Sequence, residues 1–246
     1  MDFYALTLFP EQVDTFLRSS ITGRALERGM ISLNCINIRD FAVNDYGKVD
    51  DTMYGGGVGM LMQADPVYNC WKSVVDGRGG VKPYTVYVSP KGNVFTQSKA
   101  IELSHKDSVA IICGHYEGID ARVIDEICDE EISIGDFVLT GGEIAAVTMI
   151  DCISRMIPGV LPSESAYTNE SHMAGTLEAR QYTKPSVWHG ASVPEALLSG
   201  DQARIDEYNR ISSLVETWTK RPDMLDKLEI SEEDWEKMLA MQKGLC

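Results

Sequence analysis

The chain has 246 residues, 44% hydrophobic, 24% charged and 8% aromatic, a globular composition that supplies a sizeable core and excludes a disordered chain. Its 22 Lys and Arg against 37 Asp and Glu leave a net charge of −15, which argues against a general binder of nucleic acid or anionic membrane, because neutralising phosphates takes clustered cations. The excess is local, however: residues 101–150 hold eleven acidic and two basic side chains, so the whole-chain sum does not dismiss an RNA partner.

Tyr4–Phe9 reads as a buried strand stopped by Pro10, with a helix after it to about Ser19. Ile31–Arg39 alternates apolar and polar residues at period two, a half-buried strand. Residues 40–60 turn polar and then glycine-rich and read as a long loop, after which helix resumes over Ala64–Val75. Thr85–Val88, Val109–Cys113 and Glu131–Ile134 are short strands separated by segments able to form helices, and Gly142–Ile157 shows helical spacing of Ile144, Val147, Ile150, Ile153 and Ile157. Pro158-Gly159 stops that helix. Residues 161–190, rich in Pro, Gly, Ser and Thr, read as a linker. Beyond it the chain is helical, with Ala203–Thr217, a start at Pro222, and Ser231-Glu-Glu-Asp234 as an N-cap with an acidic first turn. The expectation is an α/β domain over 1–160, the linker, and a small all-helical domain over 191–246.

The six cysteines (Cys35, Cys70, Cys113, Cys128, Cys152 and Cys246) form no C-x-x-C pair, and the four histidines have no metal-ligand spacing. A structural zinc and a disulfide framework are therefore not expected, and no metal ligands are assigned. Met1-Asp-Phe-Tyr4 lacks the features of a signal peptide, and no stretch approaches the roughly 20 apolar residues of a membrane span. A reduced, cytoplasmic protein without membrane attachment is expected.

Two features carry chemistry. Tyr54-Gly-Gly-Gly-Val-Gly59 lets backbone approach a ligand closely, yet it is neither a P-loop nor a dinucleotide fingerprint, because no Gly-Lys-Ser/Thr and no preceding strand accompany it. Three strands run into small or glycine-rich sequence: Tyr87-Val-Ser-Pro90, Cys113-Gly-His-Tyr-Glu-Gly118 and Ile134-Gly-Asp-Phe-Val-Leu-Thr-Gly-Gly142. In open α/β sheets ligands bind outside the carboxyl ends of strands, so these loops are candidates for one pocket lined mainly by backbone.

These strings stand in order with Val49-Asp-Asp51, Gly59-Met-Leu-Met62, Ser154-Arg-Met-Ile-Pro-Gly-Val160, Tyr182-Thr-Lys-Pro185 and Val193-Pro-Glu-Ala-Leu-Leu-Ser-Gly200. Together they resemble the bacterial tRNA (guanine-N1)-methyltransferase family, which modifies guanine 37, the base 3′ of the anticodon. The resemblance spans about residues 3 to 230. It implies a SPOUT-type α/β sheet with a deep C-terminal trefoil knot, a homodimer with a shared active site, S-adenosylmethionine as methyl donor, and tRNA as substrate. Mg²⁺ comes with the family as a second group. By match, the donor site comprises Tyr87, Val88, Ser89, Pro90, Gly114, Tyr116, Glu117, Ile134, Gly135, Phe137, Leu139, Gly141 and Gly142. The RNA side comprises Tyr54, Gly55, Gly56, Gly57, Lys184, Arg204 and Arg210, with Lys220 and Arg221 as further phosphate contacts.

The chemistry sets two roles. Neutral guanine holds a proton on N1, so methylation there needs a base to remove it and an electropositive group at O6. The resemblance gives the second role to Arg155. It gives the first to Glu170 in Glu170-Ser171-His172, where the family has Asp-Ser-Phe; His172 is the other candidate base. The chain also departs from the family at His115 (usually Arg), Tyr46-Gly47 (His-Arg), Met53 (Pro), Phe137 (Tyr), Ala145 (Pro) and Asp201-Gln202 (Asn-His). Several of these changes remove cations, and they support a second reading, a catalytically weak RNA- or cofactor-binding homologue.

Overall fold

A computed structural model describes residues 1–43, 46–163, 167, 170–173 and 175–243. The chain forms two compact units, Met1–Pro162 and Ser163–Cys246.

The first unit is built on a five-stranded parallel sheet in the order β2-β1-β6-β5-β7. Its strands are β1 (Asp2–Thr7), β2 (Ser32–Asn37), β5 (Tyr84–Val94), β6 (Ser108–Cys113) and β7 (Glu130–Ser133). Helices α1 (Pro10–Leu17), α2 (Ser20–Glu27), α3 (Ala64–Gly77), α4 (Gln97–Ser104), α5 (Ala121–Ile127) and α6 (Glu143–Arg155) connect or flank them. Every residue of β6 is buried. A continuous Val-Ala-Ile-Ile run is what a central parallel strand covered on both faces demands. One core joins Leu6, Ile112, Ile38, Met62, Val67 and Trp71. The indole Nε1 of Trp71 donates to Thr85 Oγ1 at 2.9 Å, so the ring is buried without stranding its N–H.

Element ends follow local side-chain chemistry. The first strand closes at Thr7 rather than Phe9, because the Phe9 N–H turns back to Thr7 Oγ1 at 2.9 Å before Pro10 opens α1. The second closes at Asn37, whose side chain accepts from Arg39 N at 3.0 Å and starts a short 3-10 helix, Ile38–Phe41. Residues 40–60 are not all loop. Short strands β3 (Asp50–Thr52) and β4 (Met60–Met62) pair antiparallel across the glycine-rich segment. Three residues with two adjacent aspartates give too little periodicity to be read as a strand. The fifth strand is far longer than Thr85–Val88. It pairs with β7 at Val88–Ile132 and again at Asn93–Ile132, leaving the residues between outside the ladder.

The second unit holds α7 (Glu195–Leu198), α8 (Gln202–Lys220), α9 (Pro222–Leu225) and α10 (Glu232–Gln242). Asp201 caps α8 by accepting from Ala203 N at 3.0 Å and Arg204 N at 3.4 Å, and Ser231 caps α10 through Asp234 N at 3.1 Å. Its core is Ile211, Leu214, Val215, Leu225 and Met238, with Trp218 edge-on to Trp235 at 5.4 Å. All-helical is a correction to make: β8 (Val187–Trp188) and β9 (Ala191–Ser192) form a hairpin. Its turn puts His189 at φ 51° and Gly190 at φ 82°, as a two-residue hairpin of strand-matching twist requires. Part of the stretch expected as linker lies along α8. Leu177 N donates to Thr217 Oγ1 at 2.9 Å, and Arg180 N to Ser212 Oγ at 3.2 Å. Other parts of 161–190, and Cys246, lie outside the described residues.

Candidate functional site: a cavity at the carboxyl ends of the parallel strands

The carboxyl ends of β6 and β7 flank the break in the β5 ladder, so Tyr87–Pro90 lies within β5 and not after its end as expected, and these segments line a cavity of about 430 Å³. All thirteen residues expected at the donor site line it, from Tyr87–Pro90, Gly114–Glu117 and Ile134–Gly142. Its size falls in the range of small-molecule sites, roughly 300–1,000 Å³.

Backbone contacts hold the 114–118 and 134–142 loops together. Gly142 N donates to Gly114 O at 2.9 Å, and His115 and Gly141 form an isolated antiparallel bridge. A Cβ on Gly142 would sit 2.7 Å from both Cys113 Cα and Val88 Cγ2, so only glycine allows α6 to start this close to β6. The 114–120 loop is tied on its other side to β4: Glu117 N donates to Met60 O at 3.0 Å, Met62 N to Gly118 O at 2.9 Å, and Asp120 N to Met62 O at 3.0 Å. Below the loops, buried Thr7 donates from Oγ1 to the Glu143 carboxylate at 2.6 Å, linking the end of β1 to the first turn of α6.

The lining carries Glu117, Asp125 and Glu131 against Lys91, an excess of carboxylate suited to a cationic ligand. Glu131 accepts from the Ser89 hydroxyl, and the same Ser89 Oγ accepts from Lys91 N at 3.0 Å. Burial first, then the neighbouring Glu131 and Cys128, push Tyr87 up to about 12 against a hydrogen bond from the Ile119 backbone. Its phenol stays protonated at neutral pH. Lys91, Asp125 and Glu131 were not among the expected site residues, whereas His115 stands inside the expected Gly114–Glu117 loop. Asp125 comes from α5 and carries no motif; Glu131 and Lys91 sit beside the quoted strings, and strand-end position was their only signal.

The other expected residues fall elsewhere. Tyr54 is fully exposed on the loop between β3 and β4, and Gly55, Gly56 and Gly57 all have positive φ. Arg155 ends α6 in the first unit, half-buried beside Ser154. Glu170 belongs to the second unit, in a turn where Glu170 N donates to Tyr167 O at 3.2 Å and Met173 N to Glu170 O at 3.1 Å. His172 has φ 72° in the same turn. Lys184 and Arg204 are exposed and make no ion pair among the described residues. Arg210 differs from an open phosphate contact, since it pairs with Asp234 at 2.7 Å. Lys220 is paired with Glu216, and Arg221 with Asp223 at 2.7 Å. Among the described residues no three His, Cys, Asp or Glu side chains gather as a metal site, and no helix is long and apolar enough to cross a membrane.

A parallel open sheet with a cavity at its strand carboxyl ends defines an α/β protein of the class whose small-ligand sites lie at that edge. A family model described as tRNA (Guanine-1)-methyltransferase TrmD matches residues 1–227. The chain belongs to that family. It is 50% identical over 228 residues to a protein of Ruminiclostridium cellulolyticum, covering 93% of this chain and 97% of the relative. It is 46% identical over 241 residues to one of Alkaliphilus metalliredigens (97% and 98% covered) and 46% over 227 residues to one of Clostridioides difficile (92% and 98%). Each relative is named tRNA (guanine-N(1)-)-methyltransferase.

Proposed function

We propose that this chain methylates N1 of guanine 37 in tRNA, with S-adenosylmethionine as donor. The observation that carries the reading is the coincidence of a family match over 1–227 with the gathering of the β5 break and the loops after β6 and β7 around one cavity. Near-complete coverage at 46–50% identity by relatives named for this activity does not favour the weak-binder alternative.

The donor fits the cavity by size and charge: backbone groups of 134–142 suit a purine edge, and the carboxylates of Glu117, Asp125 and Glu131 suit a sulfonium cation. When bound, it supplies an electrophilic methyl group. Glu170 takes the N1 proton as general base, and Arg155 holds the negative charge developing on O6, a contact made only as charge builds. Tyr54 with the glycine run, Lys184 and Arg204 hold the RNA; Arg210 contributes only by leaving Asp234. The return of the chain from edge strand β7 past β6 into α6 supports a knotted path. A homodimer sharing its site, working in the cytoplasm, completes the reading. Mg²⁺ rests on the family resemblance alone, and among the described residues no three His, Cys, Asp or Glu side chains gather for it.

The test is methyl transfer from labelled S-adenosylmethionine to a tRNA transcript carrying guanine at position 37, beside one carrying adenine there. Product on the first alone, mapped to N1, is expected. Cofactor binding without product at any enzyme concentration would reinstate the binding-module alternative.

A further inference from the structure

We propose that His115 is a positioning residue of the donor cavity, a side-chain latch that holds the 134–142 loop against the 114–118 loop. The proposal rests on the methyltransferase reading above for its effect on catalysis. The latch itself is geometric.

The 134–142 loop has no helix or strand of its own. Its backbone groups are therefore placed by whatever grips the loop from outside. Main chain supplies part of the grip, through Gly142 N to Gly114 O at 2.9 Å and the His115–Gly141 bridge. Two side chains add to it: Ser133 Oγ donates to Gly135 O at 3.0 Å at the start of the loop, and at its far end His115 Nδ1 lies 2.7 Å from the Thr140 carbonyl oxygen. A carbonyl only accepts, so Nδ1 is the donor in this pair. The ring cannot easily swing away. Phe9 meets it edge-on at 5.2 Å and 86°, and Tyr116 flanks it at 5.1 Å. The β1–α1 connection, the 114–118 loop and the 134–142 loop thus converge on one imidazole, which itself lines the cavity.

A wall of backbone donors and acceptors binds tightly only if it is already in place when the ligand arrives, because ordering it afterwards is paid out of binding. Loss of the latch therefore weakens donor binding and raises donor KM, and leaves kcat at saturating donor nearly unchanged.

The test compares His115→Asn, His115→Gln and His115→Ala in the full chain. Asparagine places its amide N–H near the position of Nδ1; glutamine places it near Nε2. S-adenosylmethionine affinity by calorimetry should fall about five- to tenfold in the Gln and Ala variants, the size of one lost hydrogen bond, and stay near wild type in the Asn variant. Amide hydrogen exchange across 134–142 without ligand should follow the same order, faster in Gln and Ala and unchanged in Asn. Equal exchange and equal affinity in all three and wild type would overturn the latch, as would an Asn variant as damaged as Gln. If exchange follows the expected order but the wild-type chain neither binds S-adenosylmethionine nor transfers methyl, the latch stands and the proposed function falls.

Discussion

The side chain of Glu117 lies against the backbone of Gly59: a Cβ on that glycine would sit 2.6 Å from Glu117 Cγ and 2.7 Å from its Oε1. A cavity-lining carboxylate is thereby set by the same glycine-rich segment that exposes Tyr54. With φ at +109°, Gly59 has a backbone that L side chains rarely adopt.

Gly59→Ala should therefore displace Glu117 and strain the β3–β4 connection by roughly 1–3 kcal/mol. We expect S-adenosylmethionine affinity to fall by about an order of magnitude, read by calorimetry, with the thermal midpoint lowered by about 2–4 °C for each kcal/mol of strain. Unchanged affinity would show that the segment and the cavity are independent.

Glu170→Ala should remove turnover while leaving donor affinity intact. Glu170→Asp should keep activity, since it shortens the carboxylate back to the family's length without changing its chemistry. Steady-state methyl transfer on a guanine-37 transcript separates the cases, and near-normal turnover in the Ala variant would shift attention to His172.

Thr7→Val leaves the buried Glu143 carboxylate without its hydroxyl donor and the Phe9 N–H without its acceptor. The loss should be about 1–3 kcal/mol, as for other stranded buried polar groups. A lower urea midpoint at unchanged m-value is the expected record.

Buried Glu216 is held between Lys220 and Arg180, whose hydrogen bonds lower its carboxyl pKa against the opposing effect of burial. Because the folded pKa lies below the unfolded value of about 4.3, this contribution is present above that value and disappears as pH falls through the folded pKa. Glu216→Gln should cost roughly 1–2 kcal/mol at neutral pH. The gap between variant and wild type should close under acid, measured by denaturant unfolding from pH 7 to 3.

On the RNA side, Lys184→Ala and Arg204→Ala should each weaken tRNA binding and flatten its dependence on salt. Arg210→Ala should do less to binding and more to stability, because its guanidinium is already on Asp234. Filter binding across a salt series distinguishes them.

Much of the site was legible in the chain itself. Val109–Cys113 read as a short strand, and the small residues at Ser89-Pro90 and after β6 and β7 marked where backbone would be open to a ligand. Hydrophobic runs and glycines are local signals that survive without tertiary context. The register return of β5 onto Ile132, the pairing of β4 with the 114–120 loop and the hairpin at Val187–Ser192 were not legible. Each depends on a partner distant in sequence or on runs too short to show a period.

Charge makes the same division. Composition established an acidic chain with its excess in residues 101–150, and spacing established which loops end strands. Only the fold decided which charges meet. It spent Arg210 on Asp234 and Arg180 on Glu216, placed Glu117, Asp125 and Glu131 on one cavity wall, and put His115 within reach of Thr140. An ion pair or a latch is a distance between residues far apart in the chain, and distances exist only once the sheet has brought the strand ends together.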